Sequence, residues 1–184
     1  SSAFVSSKSL KLKLVKYKYN LGKGAALKKG VSTATGEWIL TSDIDFSVSL
    51  FEIFKWQNKN YIKDTGEVYF GSRAHKESSV KSKLYRKIIG NFLRILISFF
   101  LQIKIKDTQC GYKLYKNQIA KKIFSSMISK GYEHDIEIIL LIKKENLRII
   151  ELPVKWEHIA DSKVNVFTDP IKVLLSLLNL RLKY

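Results

Sequence analysis

Glu37-Trp38-Ile39-Leu40-Thr41-Ser42-Asp43-Ile44-Asp45 is a short apolar run that ends in two carboxylates one residue apart. The run reads as a strand. Side chains alternate along an extended backbone, so this spacing predicts Asp43 and Asp45 on one side, both within reach of one hard cation. A cation held there can bridge the phosphates of a nucleotide. A turn after a strand produces the same pattern when aspartates bond their own backbone. What surrounds the pair has to separate the two readings.

The chain has 184 residues and 46% hydrophobic content, enough for one domain with a core, and this excludes disorder. Its formal net charge is +17, which calls for an anionic partner: nucleic acid, lipid headgroups or a phosphorylated substrate. The single cysteine, Cys110, excludes an intrachain disulfide, and His75, His134 and His158 are scattered, so no zinc site is readable. The apolar run from Ile95 to Leu101 falls well short of the roughly 20 residues needed to span a bilayer, which leaves the chain able to lie on a membrane rather than cross it. Ser1-Ser2-Ala3-Phe4 has neither Met nor a leader-like design and is expected to be the start of a fragment.

Working outward from the acidic pair, Leu10 to Tyr19 alternates apolar residues with lysine and is expected to be an edge strand. Asn20-Leu21-Gly22-Lys23-Gly24 then turns into a helix expected over Ala25–Thr35, ended by Gly36. Free N–H groups at such a start attract phosphate and Lys23 adds a cation, although an ordinary glycine turn has the same look. Ser49 and Glu52 suggest a capping box for a helix burying Leu50, Ile53 and Phe54. Glu67 to Ser72 reads as a buried strand with Arg73 just past its end, where open α/β sheets bind ligands and where a guanidinium matches phosphate oxygens.

Lys81 to Ile103 is expected to be a broadly apolar helix, either a core helix or one lying in the lipid headgroup plane, whose first turns carry Lys81, Lys83, Arg86 and Lys87, cations suited to an external anion. Lys106-Asp107-Thr108-Gln109-Cys110-Gly111-Tyr112-Lys113 reads as a loop presenting polar groups before an alternating strand, with Asp107 either a general base or a turn carboxylate. Gly131 to Glu137 opens a further helix; Asp135 and Glu137 lie roughly 200° apart on it, so they cannot face one site. Leu147 to Val154 reads as a strand, and Asp169-Pro170 starts a last amphipathic helix ending in Arg181 and Lys183.

Taken together, Asn20 to Ala26, Thr41 to Asp45, Gly71 to Arg73, Asp107 to Lys113, Gly131 to Glu137, and Glu151 to Trp156 with Ser162 to Val164 stand in an order that resembles the family 2 inverting glycosyltransferases. Within them the chain looks like the polyprenyl-phosphate enzymes of the dolichyl-phosphate glucosyltransferase type. The resemblance implies an α/β GT-A fold, a mixed Rossmann-like central sheet flanked by helices. Residues 1–184 would form a single domain, the C-terminal part of the whole, with membrane-interface helices near 83–103 and 170–183.

The implied reaction is inverting transfer of a hexose from a nucleotide sugar, UDP-glucose first and GDP-mannose second, to dolichyl or polyprenyl phosphate. Asp43 and Asp45 would hold Mg2+ or Mn2+, while Gly22, Lys23, Gly24 and Arg73 would contact the donor. Asp107 and Asp135 would line the reacting centre, and Arg86, Ser162 and Lys163 would hold the acceptor phosphate. The implied place is the cytoplasmic face of a membrane, with an anionic leaflet as partner and no nucleic acid. The family's V-I-P-x-Y-N-E-like strand and acidic D-D-G-S turn have no match here, so the nucleobase-binding strands are expected to be missing from this chain and the fragment to be inactive alone. A noncatalytic basic module that binds membrane or nucleic acid is the different-class alternative; its binding would fall steeply with salt and ignore Asp43, Asp45 and Asp107.

Overall fold

The computed structural model describes residues 12–63, 68–81, 95, 97 and 103–157. In chain order the elements are α1 (Lys23–Thr33), β1 (Trp38–Thr41), α2 (Glu52–Asn58), β2 (Val68–Ser72), β3 (Ser79–Lys81), β4 (Lys113–Lys116), α3 (Asn117–Ser126), α4 (His134–Lys144), β5 (Ile149–Pro153) and β6 (Lys155–Glu157). Strands β1, β4, β2 and β5 form a mixed sheet in that order, with β4 antiparallel to both neighbours and β2 parallel to β5. A parallel pair, β3 with β6, forms a small second sheet.

Alternation along the strands sorts the core into two layers. Ile39, Val68, Phe70 and Tyr115 point to the face covered by α1, α3 and α4, where they meet Val31, Ile123, Phe124, Ile138 and Ile139. Tyr69, Tyr112, Leu114 and Leu152 point to the other face and pack on Trp56 and Ile53 of α2. Trp56 is fully buried, donates its indole N–H to Pro153 O at 2.7 Å and meets the Tyr112 ring edge to face at 5.2 Å. Burying such a ring is worth about 3–5 kcal/mol against alanine. Every residue of β2 is buried because helices cover both faces of this inner strand.

This order also fixes where the chemistry collects. Since β4 runs opposite to β1 and β2, the carboxyl ends of β1 and β2 and the entry to β4 lie at one edge of the sheet. Thr41 pairs with Lys113 there, and its hydroxyl donates to Gly111 O at 3.1 Å. The starts of α1 and α4 meet at the same edge: Ala25 N donates to Lys130 O at 3.2 Å, and a side chain on Gly24 would come within 2.9 Å of the His134 Cβ.

Four expectations are corrected. Residues 12–19 form no strand, and Leu12 and Leu14 are exposed, because no described strand lies beside them to complete a ladder. Helix α1 starts two residues earlier than expected and ends at Thr33, before Gly36. The capping box does not form: the Ser49 hydroxyl accepts from Phe51 N at 3.3 Å, Glu52 turns to Lys55 at 2.9 Å, and Leu50 is exposed. Lys81 belongs to β3 rather than to a helix, and Ile103 is buried outside any helix. Of the segment between them, Ile95 and Ile97 are helical, the first exposed and the second buried in the core. Arg86, Ser162, Lys163 and the expected helix near 170–183 lie outside the described residues.

Candidate active site

Strand β1 ends at Thr41, and the chain then closes a turn in which Phe46 N donates to Asp43 O at 3.1 Å. The acidic pair therefore sits in a turn, not on an extended strand, and the alternation that was to align both carboxylates does not apply. Phe46 stands at φ 51°, an uncommon conformation for an aromatic residue. The Asp43 carboxylate accepts from Lys23 Nζ at 2.5 Å, and Asp45 accepts from Ser47 N at 3.0 Å. Asp43 also lies against Gly111: a Cβ there would fall 2.6 Å from its carboxyl carbon, so only glycine lets the 107–111 loop approach this closely.

Arg73 and Asp107 lock that loop to the end of β2. The guanidinium donates twice, Nε to Oδ2 at 2.7 Å and Nη2 to Oδ1 at 2.8 Å, and the Arg73 backbone N–H adds a third bond at 2.8 Å. Gln109 N contributes a weaker one at 3.3 Å, while Glu151 accepts from Lys106 N and Asp107 N, both at 2.9 Å. Burial disfavours the charge on Asp107, but the Arg73 cation and its bonds outweigh this and hold the carboxyl below its ordinary range. A carboxylate so fully bonded is a poor proton acceptor at neutral pH. The Arg73 guanidinium lies 5.8 Å from the Trp156 ring centroid, and about a third of its side chain is exposed.

Asp135 points inward from the first turn of α4 and pairs with Lys113 of β4, both side chains almost wholly buried. Burial would raise the Asp135 pKa, yet Lys113, His134 and Lys23 together keep it low. His134 bonds through Nδ1 with Gly131 O at 2.8 Å, and its buried ring is shifted toward the neutral form mainly by desolvation. Glu137 turns the other way and accepts from Ile128 N and Ser129 N at 2.9 and 2.7 Å, so the two acids serve different ends, as their angle on the helix requires. For Lys23, desolvation opposes its charge, but Asp135 and Asp43 outweigh it and raise its pKa.

The structure thus brings Lys23, Asp43, Arg73, Asp107 and Asp135 to one edge, with Asp45 in the same turn. Gly22, at φ 96°, packs closely against Lys130 and Gly24 against Ser129 and His134, so the lack of a side chain at both lets the start of α1 meet the start of α4. Lys113, Gly111 and Glu151 carry parts that sequence reasoning did not assign. Lys113 was visible as a lysine inside Tyr112-Lys113-Leu114-Tyr115, where burial demands a partner for its charge. Gly111 and Glu151 left no comparable signal.

Oxygen-only donors beside a bound ammonium suit a hard divalent cation, and Asp43 already holds a cation, Lys23, at hydrogen-bond distance. Among the described residues no group of three or more acidic, histidine or cysteine side chains that could hold a metal occurs.

A family model described as glycosyl transferase family 2 matches residues 2–124. The dolichyl-phosphate beta-glucosyltransferase of Dictyostelium discoideum is 31% identical over 182 residues, covering 96% of this chain and 55% of that protein. The human protein of the same name is 30% identical over 186 residues, covering 95% and 56%. The chain thus spans about half the length of the curated relatives it matches. Among solved structures, glucosyl-3-phosphoglycerate synthase from Mycobacterium tuberculosis with phosphoglyceric acid superposes with a TM-score of 0.61 at 14% identity, over 90% of this chain and 56% of that one. The same enzyme with Mn2+, UDP-glucose and phosphoglyceric acid gives a TM-score of 0.57, over 86% and 54%. These likenesses bear on the fold alone, an α/β GT-A arrangement with a mixed central sheet.

Proposed function

The chain belongs to glycosyl transferase family 2, and from that premise we propose that it carries the reacting half of an enzyme that transfers glucose from UDP-glucose to dolichyl phosphate with inversion. The observation that carries this reading is the convergence of Asp43, Lys23 and the Arg73-held 107–111 loop at the edge where β1 and β2 end. Relatives named dolichyl-phosphate beta-glucosyltransferase support the substrate class.

In the proposed step an acceptor phosphate oxygen forms a bond to the glucose C1. The bond from C1 to the diphosphate oxygen breaks from the opposite side, and UDP leaves with the electron pair. Asp43 and Asp45 would hold Mg2+ or Mn2+, which when bound supplies charge neutralisation for the departing diphosphate. Lys23 and Arg73 supply fixed positive charge for phosphate oxygens, and Arg73 keeps its fork aligned through Asp107. The acceptor phosphate is already ionised at neutral pH, so the reaction needs no strong base, and the low basicity of Asp107 and Asp135 is compatible with positioning roles. Dolichyl phosphate is a membrane lipid, and the net charge of +17 suits docking on an anionic leaflet. Among the described residues no helix is long and apolar enough to cross a membrane.

The test is transfer of label from UDP-glucose, and separately from GDP-mannose, into solvent-extractable dolichyl phosphate by the intact-length protein, with Mn2+ or with chelator. Chelator-sensitive transfer from UDP-glucose is expected. Label from GDP-mannose instead would overturn the donor, and transfer that survives chelation would overturn the metal assignment.

A further inference from the structure

The turn that carries the acidic pair also carries apolar side chains that the fold leaves in water. Ile44, between Asp43 and Asp45, is 94% exposed, Phe46 is 53% exposed, and neither belongs to a core layer. The turn itself is well held. Phe46 N donates to Asp43 O at 3.1 Å, Ser47 N to the Asp45 carboxylate at 3.0 Å, and Glu157 N to Ser47 O at 2.9 Å. A bridge between Val48 and Trp156 sets the segment antiparallel to β6, so the chain before Val48, with Phe46 and Ile44 on it, lies toward the carboxyl end of that strand. Strand β3 runs parallel to β6 with Lys81 opposite Glu157, which puts Lys81 at the same end. The ammoniums of Lys81 and Lys155 reach the Glu157 carboxylate at 3.1 and 3.3 Å, two cations on one anion, and all three side chains are about half exposed or more. Lys23 offsets the charge of Asp43 at 2.5 Å.

We propose that the Asp43–Phe46 turn is a membrane-contact tip: Ile44 and Phe46 enter the headgroup boundary of an anionic bilayer while Lys81 and Lys155 meet its phosphates. This rests on reading the acceptor as a membrane lipid. The phosphate of such a lipid stays at the headgroup plane because its chain is held in hydrocarbon, so the reacting edge has to come down to it. Ile44 is the residue between the two acids, and seating it at the boundary brings both carboxylates to the level of that phosphate. Burial of the two apolar side chains drives the seating, and the surplus cation adds an attraction that salt weakens.

In the test, Ile44→Cys of the full chain is labelled with the environment-sensitive fluorophore NBD, Cys110 being buried, and mixed with vesicles of phosphatidylcholine and phosphatidylserine that hold no dolichyl phosphate. Its emission is expected to brighten and shift to the blue as vesicles bind. A label on Ser32→Cys, an exposed site near the carboxyl end of α1 at the far edge of the sheet, is expected to stay unchanged. Ile44→Ser with Phe46→Asn is expected to weaken vesicle binding of the unlabelled chain by about tenfold or more, since both apolar side chains are lost. Asn tolerates the φ of 51° at position 46, so the turn is kept. A label at position 44 that stays in water on vesicle-bound chain, or that sits in an apolar setting before lipid is added, overturns the proposal and leaves the glucosyl-transfer reading in place. Undiminished binding by the double variant, or no vesicle binding by the unaltered chain, overturns it too. Failure of transfer by the intact-length protein, with position 44 shown to enter the bilayer, overturns the transfer reading instead. Should the double variant fail to fold, the label at position 44 decides, because Ile44 lies outside both core layers.

Discussion

Replacing Asp107 with Asn tests whether the joint between β2 and the 107–111 loop is held by charge. The native carboxylate takes three bonds from Arg73, all between 2.7 and 2.8 Å, and its side chain is 7% exposed. Removing one partner of a fully buried pair costs roughly 3–5 kcal/mol. Arg73 is 34% exposed and can rehydrate in part, and Asn retains one acceptor oxygen, which brings the expected loss to about 2 kcal/mol. For a chain of this size that is roughly 4–8 °C in Tm.

The pH dependence carries the sign. Asp107 has a folded pKa below its ordinary value of 3.8, so its stabilisation is complete above that value and is lost as pH falls through the folded pKa. Thermal and urea unfolding of wild type and Asp107→Asn between pH 8 and pH 3 should show a constant gap from neutrality down to about pH 5 that narrows below the ordinary carboxylate range. A gap under about 0.5 kcal/mol at pH 7, or one that widens as pH falls, would refute the charge-held joint.

Asp45→Ala is expected to abolish glucosyl transfer while leaving attachment to anionic vesicles unchanged, and retained turnover in that variant would remove Asp45 from the metal site. Gly111→Ala places a methyl group about 2.6 Å from the Asp43 carboxyl carbon, so Mn2+ binding should weaken by about tenfold or more with a smaller loss of Tm; unchanged binding would show that the Asp43 side chain can yield without consequence. Cys110 is buried, and desolvation, with Asp107 nearby, pushes its thiol up to about 12. It should resist alkylation at pH 8 in the folded protein and react freely in denaturant, and rapid native-state labelling would contradict that burial.

Elements with a strong local pattern were legible from the chain alone. The apolar runs after Gly36, from Val68 to Ser72 and from Ile149 to Pro153, and the helix opening at His134, formed close to where periodicity put them. The 10–19 segment shows the limit: residues 12–19 alternate as a strand should, but a strand needs a neighbour's N–H and C=O groups, which no local pattern can guarantee. The turn at Asp43–Phe46 shows another, since one backbone bond is enough to redirect two carboxylates that an extended chain would align.

The amino-acid order by itself determined that a D-x-D pair follows a strand, that Arg73 follows another, and that Asp135 and Glu137 diverge. Each depends on geometry within a few residues. Only the tertiary structure decided that Asp107 belongs to Arg73, 34 positions away, and Asp135 to Lys113, 22 positions away. Those partners are chosen by strand order and by which helix starts meet at one edge of the sheet. A buried charge demands a partner, but its own sequence neighbourhood does not say which one the fold will bring.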